Sequence, residues 1–114
     1  MKINEAIQKK SISDIIQQAK MLMQAKKIAD AEIIILGLLD QDKDNLEGLY
    51  ILSVCQRYLQ KFKHALQTLE KIKVLNPDYG RTYQEEGHIY RQHQAVVPAI
   101  EAYNQAVLRN PALL

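Results

Sequence analysis

The stretch NPDYGRTYQEEGHIYRQHQAVVPAIEAYNQAVLRNP, residues 76–111, opens and closes on the same dipeptide. Asn76–Pro77 and Asn110–Pro111 stand 34 residues apart. Laying the chain on itself at that offset aligns a series of small and apolar columns. Ala31, Ala65 and Ala99 share one. Ile28, Phe62 and Val96 share a second, and Ile35, Leu69 and Tyr103 a third. Leu38, Ile72 and Ala106, and Ile15, Leu49 and Tyr83, make two more. Five residue pairs are identical between the second and third copies. A fixed period of this length is the mark of a stacked repeat, in which no unit can bury its apolar face alone.

Within each copy, apolar residues recur at three and four, as in Ile15, Ala19, Leu22 and Leu66, Leu69, Ile72. That spacing covers one stripe of an α-helix. Strand alternation is not sustained anywhere, and the β-branched run Ile33–Ile35 has helical flanks. The reading is a pair of antiparallel helices per copy. The first helices are expected over 12–25, 46–59 and 80–93, the second over 29–40, 63–76 and 97–110. Ala19, Ser53 and Gly87 are the small residues where the first helix crosses its partner, and the alanine column serves on the second. Pro77 and Pro111 stop the second helix because proline lacks the N–H to continue it. Pro98 falls in a first turn, where no N–H is needed.

The third unit carries Tyr83, Gly87, Tyr90, Ala99, Tyr103, Ala106 and Pro111, and the second Leu49, Leu52, Ser53, Ala65, Leu69, Ile72 and Pro77. In these residues the chain resembles the tetratricopeptide repeat. Tyr83 occupies the usual tryptophan slot, and Glu86 and Gln56 depart from the usual leucine and tyrosine. The first unit is degenerate, with Lys43 in place of the closing proline. The resemblance implies an all-α, right-handed solenoid of three helix-turn-helix repeats, about 12–45, 46–79 and 80–113. Residues 2–11 add an N-terminal helical extension, with Asn4 as N-cap and Ile3 and Ile7 continuing the stripe of Ile15 and Ala19. The whole of 1–114 is then one domain. More narrowly, residues 76–91 are similar to the N-terminal repeat region of bacterial sulfotransferases that carry these repeats. That implies an accessory role beside a catalytic domain, although nothing matches a sulfonate-donor site.

Composition narrows the function. The 114 residues hold 15 Lys plus Arg against 13 Asp plus Glu, a formal charge of +2. That is too small to announce nucleic acid or a membrane surface. The longest apolar run, Ile33–Leu39, cannot span a bilayer. One cysteine allows no internal disulfide, and the N-terminus lacks the order of a secretory signal, so a cytoplasmic protein is expected.

The concave groove of such a solenoid is lined by the first helices. Outward candidates are Lys20 and Gln24, then Tyr50, Arg57 and Tyr58 beside Glu47, then Arg81, Gln84, His88, Arg91 and Gln92. Arginine and tyrosine suit peptide recognition, through carboxylate forks and rigid amphipathic area. Against this stands an ordinary solvated helix face. The Lys and Asn set with which some family members grip the terminal carboxylate of chaperone tails is replaced by Ile16, Ile51, Gln84 and His88, which argues against that ligand.

Other candidates favour structural roles. His88 and His93 point to different helix faces and His64 lies in another unit, so no metal is expected. Cys55 shares a column with Met21 and Ile89 and reads as a buried small hydrophobe. Adjacent Glu85 and Glu86 diverge on a helix and make no catalytic pair. Gly37, Gly48, Gly80 and Gly87 are too scattered for a phosphate loop. Lys26–Lys27, Lys61 and Lys63 read as solvated turns rather than a nucleic-acid edge. The last helix is apolar around much of its circumference, from Val97 and Ile100 to Leu108, so a following helix or a second copy is expected to cover it. The leading expectation is a non-catalytic scaffold that holds a peptide or protein segment and uses no cofactor. An accessory domain of a sulfotransferase-like enzyme and a self-association module are the alternatives.

Overall fold

Three residues that are not glycine adopt a left-handed backbone conformation, and they stand 34 residues apart: Lys26 (φ 65°), Gln60 (φ 62°) and Gln94 (φ 59°). Each ends the first helix of a unit in the same way. The N–H one residue further on reaches back five positions, Lys27 to Leu22, Lys61 to Gln56 and Ala95 to Tyr90, at 2.8, 2.8 and 2.9 Å. The left-handed residue's own N–H bonds three back, to Met23, Arg57 and Arg91, at 3.0 Å in each case. This doubly bonded C-cap satisfies carbonyls that the helix end would otherwise leave open. It also reverses the chain at once, so the second helix starts two residues later.

The structure, a computed structural model, describes residues 2–113, with side-chain environments from residue 12 onward. Its helices in chain order are α1 (Lys2–Gln24), α2 (Ile28–Gln41), α3 (Leu46–Tyr58), α4 (Phe62–Leu75), α5 (Gly80–Gln92) and α6 (Val96–Arg109), followed by one 3-10 turn, Pro111–Leu113. There is no strand among the described residues. The six helices fall within a residue or two of the expected pairs. The extension joins the first repeat helix without a break, so α1 is 23 residues long. The stripe through Ile3 and Ile7 lies outside the residues whose side chains are described.

The turns between units repeat as well. Asp42, Asn76 and Asn110 are extended (φ −136°, −152° and −150°), and each N–H bonds four residues back, to Leu38, Ile72 and Ala106. Proline follows only the two asparagines; the first unit makes the same turn with Lys43. Proline is therefore one way of stopping this helix and not a condition of the turn.

Packing follows the columns. Ala19, Ser53, Ala31 and Ala65 are fully buried, and Ala99 nearly so. Gly87 explains its own identity: a Cβ there would sit 2.5 Å from the Tyr103 ring. Two apolar clusters result, one around Ile35, Leu38, Ile51, Leu52 and Cys55, the other around Leu49, Leu69, Ile72 and Ile89. Each draws on both helices of one unit and the first helix of the next.

Successive first helices touch, α1 with α3 and α3 with α5, whereas among the described residues α2 does not reach α4, nor α4 α6. The first helices thus form the inner layer of a curved stack and the second helices splay outward. The inner layer is where the candidate residues stand.

Candidate functional site

The inner face is polar chemistry set on an apolar floor. Ile16, Ile51 and Val54 are buried beneath it. At its centre the Arg57 guanidinium grips Glu85, Nε donating to Oε2 at 2.7 Å and Nη2 to Oε1 at 3.1 Å. Its remaining nitrogen donates to Oε1 of Gln92 at 3.2 Å, and its plane lies 4.6 Å from the Tyr58 ring centroid. The Glu85 side chain is only 3% exposed. Burial works against the Arg57 charge, but the Glu85 carboxylate overcomes it and holds the pKa above its ordinary value. Arg57, expected as a free groove cation, is therefore a clamp between the second and third units, and Gln92 is part of that clamp.

Lys20 is likewise paired, its Nζ 2.6 Å from Oε1 of Glu47, with both side chains about half exposed. This bridge closes one end of a cavity of about 410 Å3 that runs from α1 across α3 to the start of α5. Its walls are Tyr50 and Tyr79, edge to face at 6.1 Å between centroids. Arg81 lies over the Tyr50 ring at 5.5 Å. Burial and the Glu85 charge push the Tyr50 phenol up against the opposing pull of Arg81 and Arg57, and burial raises Tyr79, so both are neutral donors at physiological pH. Tyr79 was not singled out by the sequence; it precedes α5 as its N-cap.

His88 is half-buried on α5 with Nδ1 2.8 Å from the Tyr103 hydroxyl. Burial lowers its pKa, Glu85 opposes this, and Arg57 and Arg91 add to the lowering. It is a neutral hydrogen-bonding group near pH 7. Gln84 turns partly away, its amide donating to the Leu113 carbonyl at 3.3 Å. Gln24 and Arg91 are exposed. The inner face thus gathers Tyr50, Arg81, His88 and Arg91 as available groups, with Lys20, Arg57 and Gln92 already engaged.

The remaining candidates are structural. Cys55 is fully buried, and burial, with Glu32 nearby, pushes its thiol up to about 11, so the nucleophilic thiolate is scarce. Glu86 points away from Glu85, accepting from Lys73 at 2.6 Å, and Lys61 donates to both Glu32 oxygens at 2.8 and 3.0 Å. No group of three or more His, Cys, Asp or Glu among the described residues could hold a metal ion. No described helix is long and apolar enough to cross a membrane.

Sequence reasoning missed the buried acids Glu32, Glu85 and Glu86 as partners. For Glu32 and Glu85 the signal is a spacing: Glu32–Lys61 and Arg57–Glu85, like Lys20–Glu47 and Asp44–Lys71, are opposite charges 27–29 residues apart, one repeat less a helical turn or two, whereas Glu86 meets Lys73 13 residues away.

No protein-family model matches the chain, and no curated protein does. Solved structures do. The type III secretion translocator chaperone SycD of Yersinia enterocolitica superimposes with a TM-score of 0.83 at 15% identity, covering 94% of this chain and 80% of SycD. PcrH, in complex with the chaperone binding region of PopD, gives 0.81 at 18% identity over 91% of this chain and 78% of PcrH. The first tetratricopeptide repeat domain of Spaghetti (RPAP3), bound to the HSP90 peptide SRMEEVD, gives 0.76 at 18% identity over 85% of this chain and 77% of that one. At these identities the likeness carries the fold: the chain is an all-helical, tetratricopeptide-like repeat structure.

Proposed function

We propose that the chain is a non-catalytic scaffold of the cytoplasm that holds a peptide or protein segment against the inner faces of α1, α3 and α5. The observation that carries this is the cavity walled by Tyr50 and Tyr79 and flanked by Arg81, a recess of mixed aromatic, aliphatic and charged lining on the concave side. Such recesses seat anchor side chains, and tyrosine and arginine are the residue types that concentrate binding energy. Support comes also from the neighbours: SycD has been solved with a peptide of the translocator YopD, and PcrH and RPAP3 with the segments named above. Buried Ile16 and Ile51 stand where a carboxylate clamp would need polar side chains, which favours an internal segment over a chain terminus.

The test is selection of a randomised twelve-residue peptide library on the purified chain, followed by amide chemical-shift mapping of a recovered peptide. Shifts gathered on α1, α3 and α5 support the reading. Shifts confined to α2, α4 and α6, or no recovered peptide, overturn it.

Self-association is a second reading, favoured by one observation. Val96 and Ile100 are 65% and 54% exposed, whereas Phe62 and Leu66, one repeat earlier, pack against the next helix. A second copy covering this face would show as a concentration-dependent sedimentation coefficient, abolished in Ile100→Asp. A monomer at all concentrations removes it. An accessory role beside a sulfotransferase-like domain rests on the resemblance of residues 76–91 alone and draws no support from the geometry.

A further inference from the structure

The segment-holding reading leaves the chemistry of the segment open, and the charges of the inner face decide it. Among the residues whose side chains are described, four cations stand there. Lys20 is neutralised by Glu47 and Arg57 by Glu85. Among the described residues, Arg81 and Arg91 have no carboxylate within 4 Å. Both are exposed. They lie ten residues apart on α5, about 15 Å along its axis and about 80° apart around it, Arg81 toward α3 and Arg91 beside Ile100 and Tyr103 of α6. Between them stands neutral His88, fixed by Tyr103. The one acid of that stretch on this face, Glu85, is buried and consumed by Arg57. Among the residues whose side chains are described, the face therefore offers two unmatched guanidinium groups and no unmatched carboxylate, and Arg81 forms the rim of the tyrosine-walled cavity.

We infer that the groove selects an acidic internal segment, with one large apolar side chain seated against the paired rings of Tyr50 and Tyr79 beside Ile51 and carboxylates reaching Arg81 and Arg91. This rests on the groove reading above. An extended segment advances about 3.3 Å per residue, so two acids four or five residues apart span the gap. Guanidinium groups bind carboxylates through paired N–H donors, and Arg81 is already held over the Tyr50 ring, so little side-chain freedom is lost on binding.

The experiment is the same library selected on wild type and on Arg81→Gln/Arg91→Gln, whose exposed positions leave the core untouched. Wild type is expected to enrich peptides with two or more Asp or Glu and one Leu, Phe or Tyr. Their dissociation constants, by fluorescence anisotropy, are expected to rise about tenfold in the double variant and to rise with sodium chloride. Peptides that map to α1, α3 and α5 but show no acidic enrichment over the input overturn this inference and leave the groove reading standing. Basic peptides on the same face do the same. Acidic peptides that map elsewhere overturn both.

Discussion

Arg57 and Glu85 close a two-pronged bridge, at 2.7 and 3.1 Å, from the last turn of α3 to the middle of α5. With side chains 13% and 3% exposed, it is the most enclosed ion pair among the described residues. Removing one partner strands the other in a poorly hydrated place. Glu85→Ala is expected to lower unfolding free energy by about 3 kcal/mol in urea titrations. Arg57→Met/Glu85→Leu should recover most of that, because a matched apolar pair leaves no orphan charge. Equal loss in both variants would show that the pair is not the cause.

Gln60 and Gln94 hold left-handed backbone angles that an L side chain adopts at a cost. Glycine adopts them freely. Gln60→Gly and Gln94→Gly should each raise stability by about 0.5–1 kcal/mol, seen as an increase in Tm of a few degrees. The same change at exposed Gln67, in the interior of α4, should lower it.

At Gly87 the neighbouring ring leaves no room for a methyl group. Gly87→Ala is expected to cost about 2 kcal/mol or more, as overpacking does. Gly87→Ala/Tyr103→Leu should regain part of it, since the clash is with the ring. Thermal denaturation of the three variants decides the point.

His88 gives the fold a pH dependence whose sign follows from its lowered pKa. The unfolded chain takes up a proton near the ordinary histidine value, and the folded chain only at lower pH. Between those values the unfolded state holds more protons, so stability falls as pH drops through that window and levels off below it. Urea midpoints measured from pH 7.5 to 5 should show this slope in wild type and a shallower one in His88→Gln. Identical slopes would assign the effect to other groups.

The helices could be read from the chain because their evidence repeats. Small residues at 31, 65 and 99 and apolar ones at 35, 69 and 103 occupy equivalent places, so each unit checks the other two. The inner face was legible as a face, from position on the first helices. Its electrostatics were not. Arg57 reads as a solvent-facing cation when only α3 is considered, and Glu85 as an inward residue of α5; their meeting depends on how one unit settles on the next. The C-cap was within reach, since Gln60 and Gln94 are identical at the repeat spacing, but glutamine carries no left-handed preference to attract notice. Tyr79 escaped because it sits in a turn, outside any helical stripe.

The bridges between units are not copies of one another. Where Arg57 meets Glu85, the preceding junction has Met23 and Ile51; where Glu32 meets Lys61, the following junction has Leu66 and Ala95. Each joint therefore carries its own key. Duplicate the middle unit in tandem and Arg57 would confront Ile51, while Lys61 would confront Leu66, two stranded cations at one seam. Unlike an idealised array of interchangeable modules, this protein encodes the sequence in which its parts are assembled, and shuffled versions should be rejected at the joints rather than within the hairpins.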